Sequence, residues 1–283
     1  MQPLNELEVR AAVRAALDED IGSGDVTTLA TVPVNAKITA IMRARTSLVV
    51  AGLPLAETAF RALSPRVKIE RLTADGKRVK AGAGLLKISG AARAILSAER
   101  VALNFVQRLS GVATLTARFV EEVRGTGAEI LDTRKTTPGW RRFEKYAVAC
   151  GGGRNHRFGL HDMVLIKDNH LAALRAAKPN AIAAAVQRAR AIYPKLKVEV
   201  EADTLEQVAQ AVAADVDIVL LDNMTNAQLR RAVKLCAGRI KTEASGGVNL
   251  KTVRGIAETG VDFVSVGALT HSAAAVDIGL DFE

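Results

Sequence analysis

Apolar and polar positions along this chain repeat with two different rhythms, and the change of rhythm divides it. From Glu6 to Glu19 apolar residues recur at helical spacing, which predicts a helix; the DIGSGDVTT that follows reads as a turn-rich loop. Ile38 to Val50 suits a strand and Thr58 to Leu63 a helix. VKIERLTADGKRVKAGAGLLKISG breaks into short strands joined by glycine turns. Ala92 to Arg108 is a long helical pattern, and Ser110-Gly111 punctuates it, so a domain change is expected near there.

Beyond that point the pattern becomes regular. AEILDT, MVLIKD, LKVEVEAD, VDIVLLDN, RIKTEASGG and VDFVSVGA are apolar, β-branched runs. Helical patterns lie between them at Pro179 to Ile192, Leu205 to Ala213, Ala227 to Cys236 and Leu250 to Glu258. Strands alternating with helices predict βα units and a parallel sheet. Each run ends in reactive or flexible residues: Asp132-Thr133-Arg134-Lys135, Lys167-Asp168-Asn169, Glu201, Asp222-Asn223, Ser245-Gly246-Gly247 and Gly267. An open doubly wound sheet gathers its ligand groups at one switch point, whereas a β/α barrel spreads them over successive strand ends. The fold class is therefore α/β, with an incomplete β/α barrel of six strands behind a smaller mixed N-terminal domain.

Composition adds a ligand class. Half of the 283 residues are apolar and a quarter charged, which is globular. The net charge is +9, yet there is no basic tail and no interleaving of aromatic and basic residues, so small anions fit better than nucleic acid. Cys150 and Cys236 stand far apart in no CxxC pattern, so no disulfide framework is expected and the cytoplasm is the default compartment. The N-terminal MQPLNELEVRAAVRAALDED is charged throughout, without the apolar core of a signal peptide. No run approaches the roughly 20 apolar residues of a membrane helix.

The strand ends then acquire chemistry. Arg134, Lys135, Arg157 and Lys167 follow apolar strands or the glycine-rich GGGRNHR stretch. Gathered in one cleft they would repel one another and require a strongly anionic guest. Glu201 and Asp222 each end an apolar run, where a carboxylate suits Mg²⁺ or ribose hydroxyls better than packing. In SGGVNLKTVRGIAETG, two glycines precede a helix with Asn249 as its expected N-cap, a nest for an anion; Gly267-Ala268 and His271 complete it. His156, His161 and His170 lack zinc spacing and are read as hydrogen-bonding groups. Trp140 is read as packing and Cys150, with no base in view, as core.

Several long motifs, in order along nearly the whole chain, resemble the quinolinate phosphoribosyltransferases, the carboxylating nicotinate-nucleotide pyrophosphorylases. They are LDEDIGSGDVTT, ERVALNFVQRLSGVAT, DTRKTTPGWR, CGGGRNHRFGLHD, IKDNH, LLDN and ASGG. The resemblance implies an α/β sandwich domain over 1–109, an incomplete barrel over 110–271, a tail at 272–283 packed back on the first domain, and a homodimer. It implies that Arg100 reaches a partner's active site. It makes Arg134, His156, Arg157 and Lys167 a quinolinate clamp, and sets Lys135 between the two substrates. Glu201 and Asp222 fall around the ribose and Mg²⁺, and Ser245, Gly246, Gly247, Gly267 and His271 at the phosphate end. The implied activity is phosphoribosyl transfer from phosphoribosyl pyrophosphate to quinolinate with loss of CO₂. Three other readings stay open on the residues alone: a paralogue using nicotinate or serving molybdenum metabolism, a Schiff-base aldolase working through Lys135 or Lys167, and a basic nucleic-acid module.

Overall fold

The computed structural model describes residues 3–283; Met1 and Gln2, the start of the charged N-terminal stretch, lie outside the described residues. The chain falls into two compact units. One comprises Met1–Ala117, Thr137–Gly152 and Ser272–Glu283, the other Arg118–Thr136 and Gly153–His271.

Helix α1 (Glu6–Ile21) starts at Asn5, whose side chain accepts from the amides of Leu7 and Glu8, and it buries Val9, Val13 and Leu17. The stretch expected to be loop contains α2 (Val26–Thr31), because the Asp25 carboxylate caps the Thr28 amide. The strand expected over 38–50 is two, β1 (Lys37–Ala44) and β2 (Leu48–Val49), in different sheets. Next come α3 (Leu53–Leu63), β3 (Lys68–Arg71), β4 (Arg78–Val79), β5 (Gly84–Ala91) and α4 (Ala92–Glu122). Helix α3 begins ahead of Thr58 because Pro54 sits in its first turn and Asp75 accepts from the amides of Gly52 and Leu53.

Helix α4 does not stop at Ser110-Gly111. Ser110 Oγ exchanges hydrogen bonds with both the amide and the carbonyl of buried Ala51. A Cβ on Gly111 would lie 2.1 Å from the Ala274 carbonyl oxygen. The two small residues are there for close approach inside a helix, a use that sequence punctuation does not distinguish from a helix end.

The remaining elements are β6 (Glu129–Leu131), α5 (Arg141–Cys150), β7 (Val164–Ile166), α6 (Asp168–Ala172), α7 (Ala181–Ile192), β8 (Val198–Ala202), α8 (Leu205–Ala213), β9 (Ile218–Asp222), α9 (Asn226–Cys236), β10 (Lys241–Ser245), α10 (Val253–Ala257), β11 (Phe263–Ser265), α11 (Ala268–His271) and β12 (Ile278–Phe282). In the first unit an antiparallel sheet runs β12–β1–β5–β3, so the C-terminal strand pairs with β1. Helix α5 belongs to this unit. Its terminal Gly151 packs on α4, where a Cβ would meet the Ala113 carbonyl at 2.4 Å, and Trp140 stacks on Phe105 at 5.1 Å between centroids.

The second unit is built on a six-stranded parallel sheet, β6–β11–β10–β9–β8–β7. From β7 onward each strand lies beside its sequence neighbour, and β11 returns to pair with β6. Among the described residues the other edge of β6 is covered only at Arg154, whose amide donates to Ile130 and whose carbonyl accepts from Asp132. Strands β6 and β7 do not pair, so the α/β barrel is incomplete. All six β-branched runs are strands here. The helix after β10 is shorter than expected: Asn249 caps a turn at Lys251, and α10 starts only at Val253.

Candidate active site

A cleft of about 880 Å³ opens at the C-terminal ends of the barrel strands. It is lined by Arg134, Lys135, His156, Arg157, Lys167, Glu201, Asp222, Ser245, Gly246, Gly247, Gly267 and His271. Of the residues expected to act, only Arg100 is not among them; it is exposed on α4 in the first unit.

Each strand end fixes its side chains by a local device. After β6, the buried Asp132 carboxylate accepts from Asn155 Nδ2 at 2.7 Å and from the His156 amide at 2.8 Å, which ties the Arg-Asn-His loop to the barrel rim. The Lys135 amide donates to Thr133 Oγ1, and its carbonyl accepts from Thr270 Oγ1 at 2.7 Å. A side chain on Gly267 would press on Lys135 Cδ at 3.1 Å and His271 Nε2 at 3.2 Å, so this glycine makes room for both. The His170 ring accepts from the Lys167 amide and starts α6. Gly151 and Gly152, in the glycine-rich stretch, do not line the cleft; Gly151 caps the end of α5.

Gly246 and Gly247 have φ of +99° and +60°, the left-handed region where glycine has no steric penalty. A Cβ on Gly246 would fall 2.1 Å from Asn223 Oδ1. Asn223, at φ +53°, donates its amide to the Ser245 carbonyl and its side-chain nitrogen to Asp222. The ends of β9 and β10 are thus laced together, and a tight backbone turn lines the cleft.

The charges sort by depth. Lys167 Nζ lies 2.6 Å from Glu201 Oε2 at the mouth. Burial, followed by the negative charges of Glu201 and Asp203, holds Asp222 above the usual carboxylate range. Burial and then the charge of Arg134 lower the Arg157 pKa. Deeper down, His156 Nε2 lies 2.9 Å from Glu199 Oε2 and 3.4 Å from Glu243 Oε2. Burial opposes charging that imidazole, but the hydrogen bond to Glu199 and the polar contact and charge of Glu243 outweigh it and push His156 up to about 10. Burial, then the charge of Glu243, raises Glu199. Three buried polar atoms here make no hydrogen bond: Arg134 Nε, Glu199 Oε1 and Glu243 Oε2.

Glu199 and Glu243 escaped the reading of the sequence, although strand periodicity could have found them. Side chains two apart share a face, so in VEVEA the face that carries Glu201 to the cleft carries Glu199 below it, and in KTEAS Ser245 implies Glu243. Asp222 and Glu201 end adjacent parallel strands and present hard oxygen donors, a set that fits Mg²⁺. Cys150 is buried and its thiol pushed up to about 12, which is core behaviour.

Comparison with known proteins agrees with this fold. The quinolinate phosphoribosyl transferase N-terminal domain family matches residues 25–110 and the corresponding C-terminal domain family residues 112–281. The chain is 44% identical to the nicotinate-nucleotide pyrophosphorylase [carboxylating] of Mycobacterium leprae, over 96% of each chain. It is 42% identical to the chloroplastic enzyme of that name from Arabidopsis thaliana, over 98% of this chain and 83% of the relative. Its fold superposes on the crystal structure of NadC from Streptococcus pyogenes with a TM-score of 0.94 at 39% identity, covering both chains entirely. With both domain families matched in order and relatives this similar over most of their length, the chain belongs to the quinolinate phosphoribosyltransferase family.

Proposed function

We propose that the protein transfers the phosphoribosyl group of phosphoribosyl pyrophosphate to the nitrogen of quinolinate, with loss of CO₂. The products are nicotinate mononucleotide and pyrophosphate, a step towards NAD. The observation that carries this reading is the convergence of four cations, two carboxylates and a bare-backbone turn in one cleft. Arg134, Arg157, Lys167 and His156 form the end that takes a pyridine dicarboxylate; the Ser245–Gly247 turn with Gly267 and His271 forms the end that takes phosphates. Lys135 stands between them. We assign Arg100, exposed on α4, to the cleft of a second copy, which makes the active assembly a homodimer, and we place the protein in the cytoplasm.

The chemistry follows from the charges. The pyridine nitrogen bonds to ribose C1 while the bond from C1 to the pyrophosphate oxygen breaks. Positive charge develops on the sugar, and Glu201 and Asp222 flank it; negative charge develops on the leaving group, and Lys135 faces it. Mg²⁺ held by Glu201 and Asp222 would supply further neutralisation of pyrophosphate. The alkylated nitrogen is then cationic, so the adjacent carbon–carboxyl bond can break with its electron pair left beside N⁺. CO₂ departs and the carbon takes a proton. The sequence of bonds needs no side-chain nucleophile.

The direct test is an assay of the purified protein with quinolinate, phosphoribosyl pyrophosphate and Mg²⁺, following mononucleotide and CO₂ together. Equimolar appearance of both is expected, with nicotinate a poor substrate. Turnover of nicotinate with no CO₂ from quinolinate would assign the cleft to a monocarboxylate instead.

A further inference from the structure

We propose that Glu199 and Glu243 are positioning residues that clasp the Nε2 edge of His156 and hold its ring as a fixed cation at the floor of the cleft. His156 then presents a positive charge to a substrate carboxylate in the company of Arg134 and Arg157. The inference rests on the reading of the cleft as a dicarboxylate site and extends it to two residues with no role so far.

The placement is unusual for a barrel. Interior layers are filled by side chains from alternate strands, ordinarily branched apolar ones. Glu199 on β8 and Glu243 on β10 skip β9 and meet in such a layer, at 0% and 1% exposure. Two carboxylates there lose their hydration and repel each other, a heavy cost without a cation. Their shared ion-pair partner is His156, at 2.9 and 3.4 Å. The longer contact is too long to satisfy Glu243 Oε2, and Glu199 Oε1 also lacks a hydrogen bond. The pair therefore keeps two carboxyl oxygens with unmet hydrogen-bonding capacity next to one imidazole.

The loop that carries the ring is held in place. The His156 backbone amide is anchored to Asp132, and Asn155 is fixed to the same carboxylate. The other charged groups lining the cleft are Arg134, Lys135, Arg157, Lys167, Glu201 and Asp222. The cations oppose protonation of His156, and the carboxylates, with Asp132, Glu199 and Glu243 among them, favour it. The two glutamates touch the ring itself, so their sign prevails. A histidine at its ordinary pKa would be mostly neutral at physiological pH and would leave a carboxylate guest one charge short. Clasped, it behaves as a third permanent cation.

The test reads the ring without any substrate. Protein labelled at histidine Cε1 is titrated by NMR from about pH 6 to about pH 9, with His156→Asn identifying the signal. The expected result is an imidazolium shift that stays constant across that range. In Glu199→Gln and Glu243→Gln, the same signal should titrate inside it. Affinity for phthalate, an unreactive dicarboxylate, should be flat with pH for the unaltered protein. In either variant it should weaken by up to about tenfold per pH unit above the new midpoint. A His156 that titrates near its ordinary value in the unaltered protein overturns the clasp, whatever the fate of the variants. So does an unmoved signal in both glutamine variants. Failure of the two readings is separable. Product from quinolinate with a titrating His156 overturns the clasp alone; no product with a constant imidazolium overturns the substrate assignment alone.

Discussion

Glu144 in the first unit and Glu199 in the second are both carboxylates with no solvent exposure, and they live in opposite circumstances. Glu144 Oε1 accepts from Arg108 at 2.7 Å and from Thr137 Oγ1 at 2.9 Å, while Oε2 accepts from the Thr137 amide at 3.0 Å. Glu199 shares one histidine with a second carboxylate and keeps an oxygen with no partner. The same holds unit by unit. In the first, Ser110 bonds both backbone groups of Ala51, and Asp75 takes two amides and the Tyr146 hydroxyl. In the second, the unsatisfied buried side-chain atoms found among the described residues belong to Arg134 and Glu243, which line the cleft, and to Glu199, which meets the cleft-lining His156. Satisfied buried polarity is architecture; unsatisfied buried polarity is a place held for something else.

The largest effect that contrast predicts is on turnover. Lys135→Ala should lower kcat/KM at least about a thousandfold, roughly 4 kcal/mol of transition-state stabilisation, with the urea midpoint unchanged. A loss of stability of comparable size would place Lys135 with the architecture instead. Steady-state kinetics and equilibrium unfolding on the same preparation separate the two.

Stability should respond in the first unit. Glu144→Ala strands the Thr137 amide and takes one partner from the Arg108 guanidinium, which is 26% exposed and keeps its bond to the Ala273 carbonyl. Breaking a buried pair costs about 3–5 kcal/mol, and partial exposure of the arginine brings the expectation to about 3. Glu199→Gln should change stability by less than about 1 kcal/mol, since it removes a like-charge repulsion along with half of an ion pair. Equal losses from the two variants in urea would erase the distinction between them.

How far the sequence discloses these roles depends on what periodicity can carry. The six barrel strands are legible because apolar β-branched runs alternate with helical stretches, and the cleft because polar residues interrupt those runs at one end. Helix α5 is not legible in that way. It buries Glu144 and Lys145, so its pattern of charge does not follow its pattern of burial. Gly111 and Gly246 look alike in the sequence, and only distances separate them. Glu199 was within reach of a period-two argument, but the cation that explains it comes from a loop 43 residues away. Arg100 is placed by resemblance alone, because nothing in a solvated helix position announces a partner.

Those two glycines give a matched comparison. A Cβ at Gly111 meets the Ala274 carbonyl at 2.1 Å, and a Cβ at Gly246 meets Asn223 Oδ1 at the same distance. Gly111→Ala forces two backbones apart, so it should cost about 1–3 kcal/mol of stability with substrate affinity little changed. Gly246→Ala adds strain at φ +99° and displaces the Asn223 side chain, at about 1–3 kcal/mol. Its distinctive result should be a Kd for pyrophosphate raised about tenfold or more by calorimetry, because the turn that lines the cleft moves. Unchanged pyrophosphate affinity in Gly246→Ala would remove the turn from the phosphate end.

The smallest effect concerns a pair that has to come apart. Arg108–Glu144 is fixed, whereas Lys167–Glu201 lies at the mouth with the lysine side chain 43% exposed. Exposed pairs are worth about 0.2–1 kcal/mol. In the proposed reading a dicarboxylate draws on Lys167, and a metal-bound phosphoribosyl group on Glu201, so whichever guest arrives first meets the cost of separating the pair. The second guest finds its own residue already released. The coupling between them is therefore positive, and it cannot exceed the strength of the pair, which limits it to at most about fivefold. Calorimetry with phthalate, with and without Mg²⁺ and phosphoribosyl pyrophosphate, measures it directly. Glu201→Gln should bind phthalate alone more tightly by the same factor and show no further gain when the second guest is present. Coupling much above fivefold, or its survival in Glu201→Gln, would mean that the two ends of the cleft communicate through a movement of the barrel rim and not through this ion pair.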